Sequence, residues 1–190
     1  MKFVQKEFTA TLEEKKSKFL AFLVPYKDFD RTMQRLRSEH PKAVHFVYAY
    51  RYLNEFEQIV ENSSDDGEPR GTSGKPTLAV LSGAGIINSA AIIVRYFGGI
   101  KLGTGGLVRA YGGAANEVIK IADFKEYKNL ENHILECEYS FLGQLEYILN
   151  QNSIKIVDKE FQNSVKTTIS LAKDEFETLK SLLPREIKIL

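Results

Sequence analysis

The chain has 190 residues and a formal net charge of +1; 43% of its residues are hydrophobic and 27% are charged. These values are typical of a soluble globular protein, and the length suits one large domain or two small ones. The small net charge gives no global attraction to nucleic acid, so any such binding depends on a local patch. A single cysteine and three histidines exclude an internal disulfide and a cysteine-rich metal site.

The N-terminal segment 1–16 has scattered charges and no apolar core, so we predict neither a signal peptide nor an anchor. No apolar run approaches the length that a membrane-spanning helix needs. The expected location is therefore the cytoplasm, without a membrane partner.

The first part of the chain is predicted to fold into strands around one helix. Segments 3–12 and 18–24 have the pattern of paired strands, and a helix is predicted over 28–39. Segment 43–53 is a strand with an aromatic face formed by Phe46, Tyr48, Tyr50 and Tyr52. Such a row can stack bases or cover a helix–sheet interface, and we favour the packing role. A short strand over 56–61 leads into an acidic loop.

The acidic loop, residues 65–76, contains too many glycines and prolines to lie inside a helix or strand. Its carboxylates, Asp65, Asp66 and Glu68, could hold Mg²⁺, because oxygen ligands suit that ion. Their spacing does not follow a calcium-loop pattern, and we favour the alternative that they cap turns or pair with nearby cations. A short helix over 76–81 follows, and its N-terminus is a potential anion site.

A buried strand over 90–96, a glycine-rich loop and a helix come next, in that order. The first N–H groups of a helix have no intrahelical partner and carry partial positive charge, so anions bind there. The predicted anion- or RNA-binding residues are Lys75, Arg95, Lys101, Gly103, Thr104, Gly105, Gly106 and Arg109. The alternative is that the glycines serve only a tight turn and close packing of helix on sheet. The spacing matches neither GxxxxGK[ST] nor GxGxxG, which argues against a P-loop or Rossmann site.

The apolar pattern breaks at 123–129, which predicts an N-terminal domain over 1–125 and a C-terminal domain over 130–190. The second domain has the order βαββαβ of a ferredoxin-like fold. Its predicted elements are strand 131–139, helix 142–150, strands 154–161 and 164–171, a helix from 174 to 183, and strand 186–190.

Three motifs carry a resemblance to a known family: SDDGEPRGTSGKP at 64–76, VRYFGG at 94–99 and LGTGGLVRAYGGAANE at 102–117. With them the sequence resembles bacterial, YigZ-like members of the IMPACT family. The resemblance implies an α+β fold of two domains. The first is a ribosomal-protein-type α/β sandwich similar to domain four of elongation factor G, and the second is similar to that factor's ferredoxin-like domain five.

The resemblance implies a non-enzymatic protein that binds RNA or the ribosome and modulates translation, without a cofactor. Arg95, Lys101 and Arg109 would then contact phosphates together with backbone amides. The alternative is a phosphoryl- or metal-dependent enzyme acting on a small phosphorylated ligand, with Mg²⁺ held by the acidic loop. We favour the first hypothesis because the sequence shows no catalytic residues in the form of a nucleophile–base pair.

Overall fold

The computed structural model describes residues 1–190, which divide into two compact units, Met1–Tyr127 and Lys128–Leu190. Each unit has its own antiparallel sheet and its own helices. The predicted α+β fold class is therefore confirmed.

The N-terminal unit is built on a five-stranded sheet. The unit as a whole has seven strands: β1 (Lys2–Phe3), β2 (Phe8–Glu14), β3 (Ser17–Pro25), β4 (His45–Leu53), β5 (Ile59–Ser64), β6 (Ser89–Tyr96) and β7 (Lys125–Glu126). Its helices are α1 (Phe29–Glu39), α2 (Gly74–Gly83) and α3 (Thr104–Ile121). The sheet order is β2-β3-β6-β4-β5 with every pair antiparallel, and β1 pairs with β7 in a separate ribbon.

Strand β6 lies at the centre of this sheet because its sequence is apolar on both faces. Ala91 and Ile93 pack into the core that α2 and α3 cover, whereas Ile92 and Val94 pack into the cluster under α1. All four side chains are fully buried. The prediction of a strand buried on both faces is confirmed. Loops adjoin β6 at both of its ends.

The tyrosine row of β4 packs largely as predicted. The rings of Tyr48 and Tyr50 meet Phe29 of α1 at centroid distances of 5.0 and 5.3 Å. Tyr52, further along the strand, stacks on Tyr26 instead, with centroids 4.1 Å apart and ring planes within 7°. The row therefore covers the start of α1 at one end and forms a separate aromatic pair at the other.

The C-terminal unit has the predicted βαββαβ order. Its elements are β8 (Glu131–Cys137), α4 (Leu142–Gln151), β9 (Ile156–Phe161), β10 (Val165–Leu171), α5 (Lys173–Lys180) and β11 (Lys188–Ile189). The antiparallel sheet order is β11-β8-β10-β9, which is the ferredoxin-like arrangement.

Several element boundaries differ from the predicted ones, each for a local reason. β5 begins at Ile59, three residues after the start of the predicted strand 56–61, because Asn54 Oδ1 accepts hydrogen bonds from the N–H groups of Phe56 and Gln58 and holds a turn there. The single strand over 3–12 is two strands, because Val4 donates its N–H to the Ser89 hydroxyl between them.

The core of the C-terminal unit contains a polar defect in β10. Thr167 is fully buried in β10, and its hydroxyl has no hydrogen-bond partner. We expect Thr167→Val to stabilise this unit by about 1 kcal/mol, because it removes a desolvated hydroxyl at nearly constant volume. Hydrogen exchange of the β10 amides measures the gain. Thr168→Val, on the half-buried opposite face, is the matched control; an equal gain there would assign the effect to strand propensity instead.

Candidate functional site

Asp65 caps the start of α2. Its carboxylate accepts the N–H groups of Gly71 (2.7 Å), Ser73 (3.1 Å) and Gly74 (2.8 Å), and the Ser73 hydroxyl (2.7 Å). Burial acts to raise the pKa of Asp65, but these hydrogen bonds outweigh it and hold the pKa below its ordinary value. An internal carboxylate therefore occupies the helix end that the sequence suggested as a second anion site.

Asp66 fastens the acidic loop to β4 and α1. Its carboxylate accepts the Phe46 N–H at 2.6 Å and pairs with Arg37 at 3.1 Å. Its carbonyl oxygen lies 2.7 Å from Nδ1 of His45. Because a carbonyl oxygen can only accept, Nδ1 of His45 carries the hydrogen, and Nε2 faces the next acid of the loop.

Glu68 is the most buried of the three acids and joins the loop to β6 and α3. One carboxylate oxygen accepts from Arg95 Nη1 at 2.5 Å and from the Tyr111 hydroxyl at 2.7 Å. The other lies 3.8 Å from His45 Nε2. Burial and the hydrogen bond to Glu68 raise the pKa of Tyr111. The favoured interpretation, in which the acids cap turns and form ion pairs, agrees with all three environments.

The acids do not converge on a common point as metal ligands. Each one has its own partners inside the N-terminal unit, and no group of three or more His, Cys, Asp or Glu side chains is placed to hold a metal ion. The three carboxylates of the acidic loop are thus each committed to separate partners within the fold.

Arg95 lies inside the fold and not on the predicted anion-binding surface. It is 5% exposed, and its guanidinium carbon lies 5.5 Å from the Phe19 ring and 5.7 Å from the Phe97 ring. Its Nη1 is committed to Glu68, while its buried Nε has no hydrogen-bond partner. Arg95 is therefore a buried partner of Glu68 and does not belong to the exposed surface of the glycine-rich loop.

Two glycines fix the course of the chain between β6 and α3. A Cβ atom on Gly98 would lie 2.0 Å from the carbonyl carbon of Lys16, so only glycine allows this close approach to the β2–β3 turn. Gly103 has a φ of 73°, a conformation that favours glycine, and forms the N-cap of α3 without a side chain. The packing role of the glycines and an open helix start therefore coexist.

The start of α3 offers free donors. No side chain caps it, and the N–H groups of Thr104, Gly105 and Gly106 have no acceptor in the chain. Arg109 is exposed, and its guanidinium lies beside this first turn, 3.6 Å from where a Cβ of Gly105 would be. Lys101, two residues before the N-cap, is also exposed without an ion-pair partner. Lys75 is exposed on the first turn of α2.

Three apolar side chains close in sequence to Lys101 and Arg109 are exposed, and they are not among the candidate site residues predicted from the sequence. Phe97 is 48% exposed, Ile100 45% and Val108 40%. Phe97 and Ile100 flank the double glycine of the loop. The sequence signal for Phe97 is an aromatic residue that follows the end of β6 and directly precedes two glycines, outside the run of buried strand positions.

Neither unit contains a helix that is both long and apolar enough to cross a membrane.

Comparisons with known proteins cover both units. Residues 15–119 match the Impact N-terminal domain, and residues 135–184 match a domain of unknown function (DUF1949). IMPACT family member YigZ of Escherichia coli is 38% identical over 166 residues, which cover 86% of this chain and 81% of that protein. An IMPACT family member of Haemophilus influenzae is 32% identical over 174 residues, covering 90% of this chain and 84% of that protein.

A solved structure described as the crystal structure of a hypothetical protein is 34% identical to the chain. It has a TM-score of 0.62 and covers 100% of this chain and 95% of its own. The resemblance read from the three motifs is confirmed. Because the Impact N-terminal domain spans 15–119 and the named relatives cover most of the sequence, the chain belongs to the IMPACT family.

Proposed function

We propose that the chain is a non-enzymatic RNA- or ribosome-binding protein that modulates translation in the cytoplasm, with phosphates bound at the start of α3. The observation that carries this proposal is the uncapped first turn of α3, placed between the exposed cations Lys101 and Arg109. Backbone N–H groups, the helix dipole and two cations all favour a phosphate at this point.

The contrast between the two helix starts supports the proposal. Asp65 fills the start of α2 with a carboxylate from the same chain, so that end has no need of an external anion. The start of α3 also follows a glycine-rich loop, but no internal anion reaches its free N–H groups. An external phosphate there would accept hydrogen bonds from the N–H groups that have no acceptor within the fold.

The exposure of the site favours a macromolecular partner over a small ligand. Small-molecule sites enclose most of the ligand surface, whereas Lys101, Thr104, Gly105 and Arg109 are all exposed. The exposed ring of Phe97 adds a surface on which an unpaired base could stack. Membership of the IMPACT family supports translation as the setting, as does the likeness to domains four and five of elongation factor G that the family resemblance implies.

The test is cosedimentation with ribosomes and with a structured RNA over about 50 to 200 mM salt. We expect Lys101→Ala/Arg109→Ala to bind roughly ten-fold more weakly at low salt. Its slope of log affinity against log salt should fall in magnitude by about 1.4–1.8, as for two lost phosphate contacts.

The control is Lys155→Ala/Arg185→Ala, which removes the same charge from exposed positions of the C-terminal unit. It separates loss of a site from loss of net charge. Equal weakening by the two double variants would contradict a phosphate site at α3, and no association at low salt would contradict RNA or ribosome binding altogether.

A further inference from the structure

A groove of about 560 Å³ opens at the other end of β6 from the glycine-rich loop. Asn88 immediately precedes β6 and lines the groove, whereas Phe97 immediately follows β6. An eight-residue strand spans roughly 25 Å. The groove is therefore a separate feature from the start of α3.

One wall of the groove is aromatic and already ordered. Tyr26 and Tyr52 both line it, stacked with centroids 4.1 Å apart. Tyr26 also donates its backbone N–H to the Asn88 carbonyl at 2.9 Å and packs against Tyr50 at 5.0 Å. Burial, the neighbouring tyrosines and Asp30 raise the pKa of Tyr26 to about 12. Phe3 and Leu53 extend the apolar lining.

The groove lining contains few polar side chains besides its two tyrosines: Lys27, Gln5 and Asn88. Lys27 is the one charged residue that lines it, and its exposed ammonium has no ion-pair partner. The nearest acid in sequence, Asp28, is paired with Arg31 at 3.0 Å. Gln5 has no hydrogen-bond partner, and Asn88 uses Oδ1 for the Leu53 N–H, which leaves its Nδ2 as a donor.

We propose that this groove binds a nucleotide, with the base against Tyr26 and Tyr52 and the phosphate at Lys27. The planar base can pack on the aromatic wall, and the phosphate can pair with the Lys27 ammonium. The carboxamides of Gln5 and Asn88 can form hydrogen bonds with the edge of the base. The nucleotide is either free or an unpaired residue of an RNA strand. This site does not depend on the phosphate site at α3.

The test is titration of the intact chain with adenosine, AMP and a single-stranded hexanucleotide, followed by NMR shifts of the groove amides and by calorimetry. We expect Tyr52→Leu to weaken AMP binding about five-fold or more and Tyr52→Phe to bind within about two-fold of wild type. Lys27→Ala should weaken AMP but not adenosine, because only the phosphate contact is lost.

Matched controls are Tyr147→Leu, at a ring that is 64% exposed in the C-terminal unit, and Lys42→Ala, at an exposed lysine. Neither should change binding. AMP and hexanucleotide of similar affinity indicate a free nucleotide as ligand, and a much tighter hexanucleotide indicates an RNA strand. Absence of saturable shifts in the groove at millimolar concentrations, or AMP affinity unchanged in Tyr52→Leu, overturns the proposal.

Loss of the α3 site is distinguishable from loss of this one. Lys101→Ala/Arg109→Ala should leave AMP binding in the groove intact, because its residues lie at the opposite end of β6. If that double variant abolished the AMP shifts, the groove assignment would be wrong.

Discussion

Glu68→Ala is expected to destabilise the N-terminal unit by about 3–5 kcal/mol, because it removes one partner of the buried Glu68–Arg95 ion pair. Glu68 is 8% exposed and Arg95 5%, so the guanidinium left behind cannot be hydrated unless the acidic loop opens. The fully buried Tyr111 loses the acceptor of its hydroxyl in the same step. The acidic loop, β6 and α3 would then lose the Glu68 carboxylate that joins them.

Hydrogen exchange of the β6 and α3 amides measures this loss within the intact chain, without requiring both units to unfold together. Glu117→Ala removes an exposed pair with Lys120 on α3 and is expected to change stability by less than about 0.5 kcal/mol. Glu68→Gln keeps the shape and one acceptor oxygen, so it should lose less than the alanine variant. A loss below about 1 kcal/mol for Glu68→Ala would mean that this pair does not hold the loop.

The elements with strong periodicity could be predicted from the sequence, since burial of one face dictates the pattern. The βαββαβ order of the C-terminal unit and the doubly buried β6 are of this kind. Boundaries set by single side chains could not. The Asn54 carboxamide, for example, holds a turn that displaces β5, and no periodic signal announces that contact.

The position of Arg95 shows both the reach and the limit of sequence reasoning about the site. Alternation along β6 places it on the same face as Ala91 and Ile93, which α2 and α3 cover, so its burial could have been inferred. Its partner could not, because Glu68 lies 27 positions away in a loop without regular structure. The exposure of Lys101 and Arg109, in contrast, follows from their positions beside the loop glycines and on the outer side of α3.

Asp65→Ala is expected to destabilise the N-terminal unit by about 2–4 kcal/mol at neutral pH, because three backbone N–H groups and a hydroxyl lose a charged acceptor. Two of those N–H groups, from Ser73 and Gly74, belong to the start of α2. Gly74 packs so closely on Ser64 that a Cβ would lie 2.8 Å from its carbonyl carbon, so the loop has little freedom to find other acceptors. Asp123→Ala, at an exposed carboxylate of the same unit, should change stability by less than about 0.5 kcal/mol.

The same variant should reveal a pH dependence of defined sign. The folded-state pKa of Asp65 lies below its ordinary value, so on acidification the unfolded chain takes up the proton first, and this favours unfolding. The contribution of the ionised carboxylate is thus complete above the unfolded pKa of about 3.9 and is lost as pH falls through the folded pKa. The stability difference between wild type and Asp65→Ala, measured by denaturant titration from neutral pH downwards, should therefore be constant above about pH 5 and shrink below about pH 4. A difference that stays constant into acid would show that the carboxylate is not held in its ionised form, and the assignment of Asp65 as the internal anion of α2 would then fail.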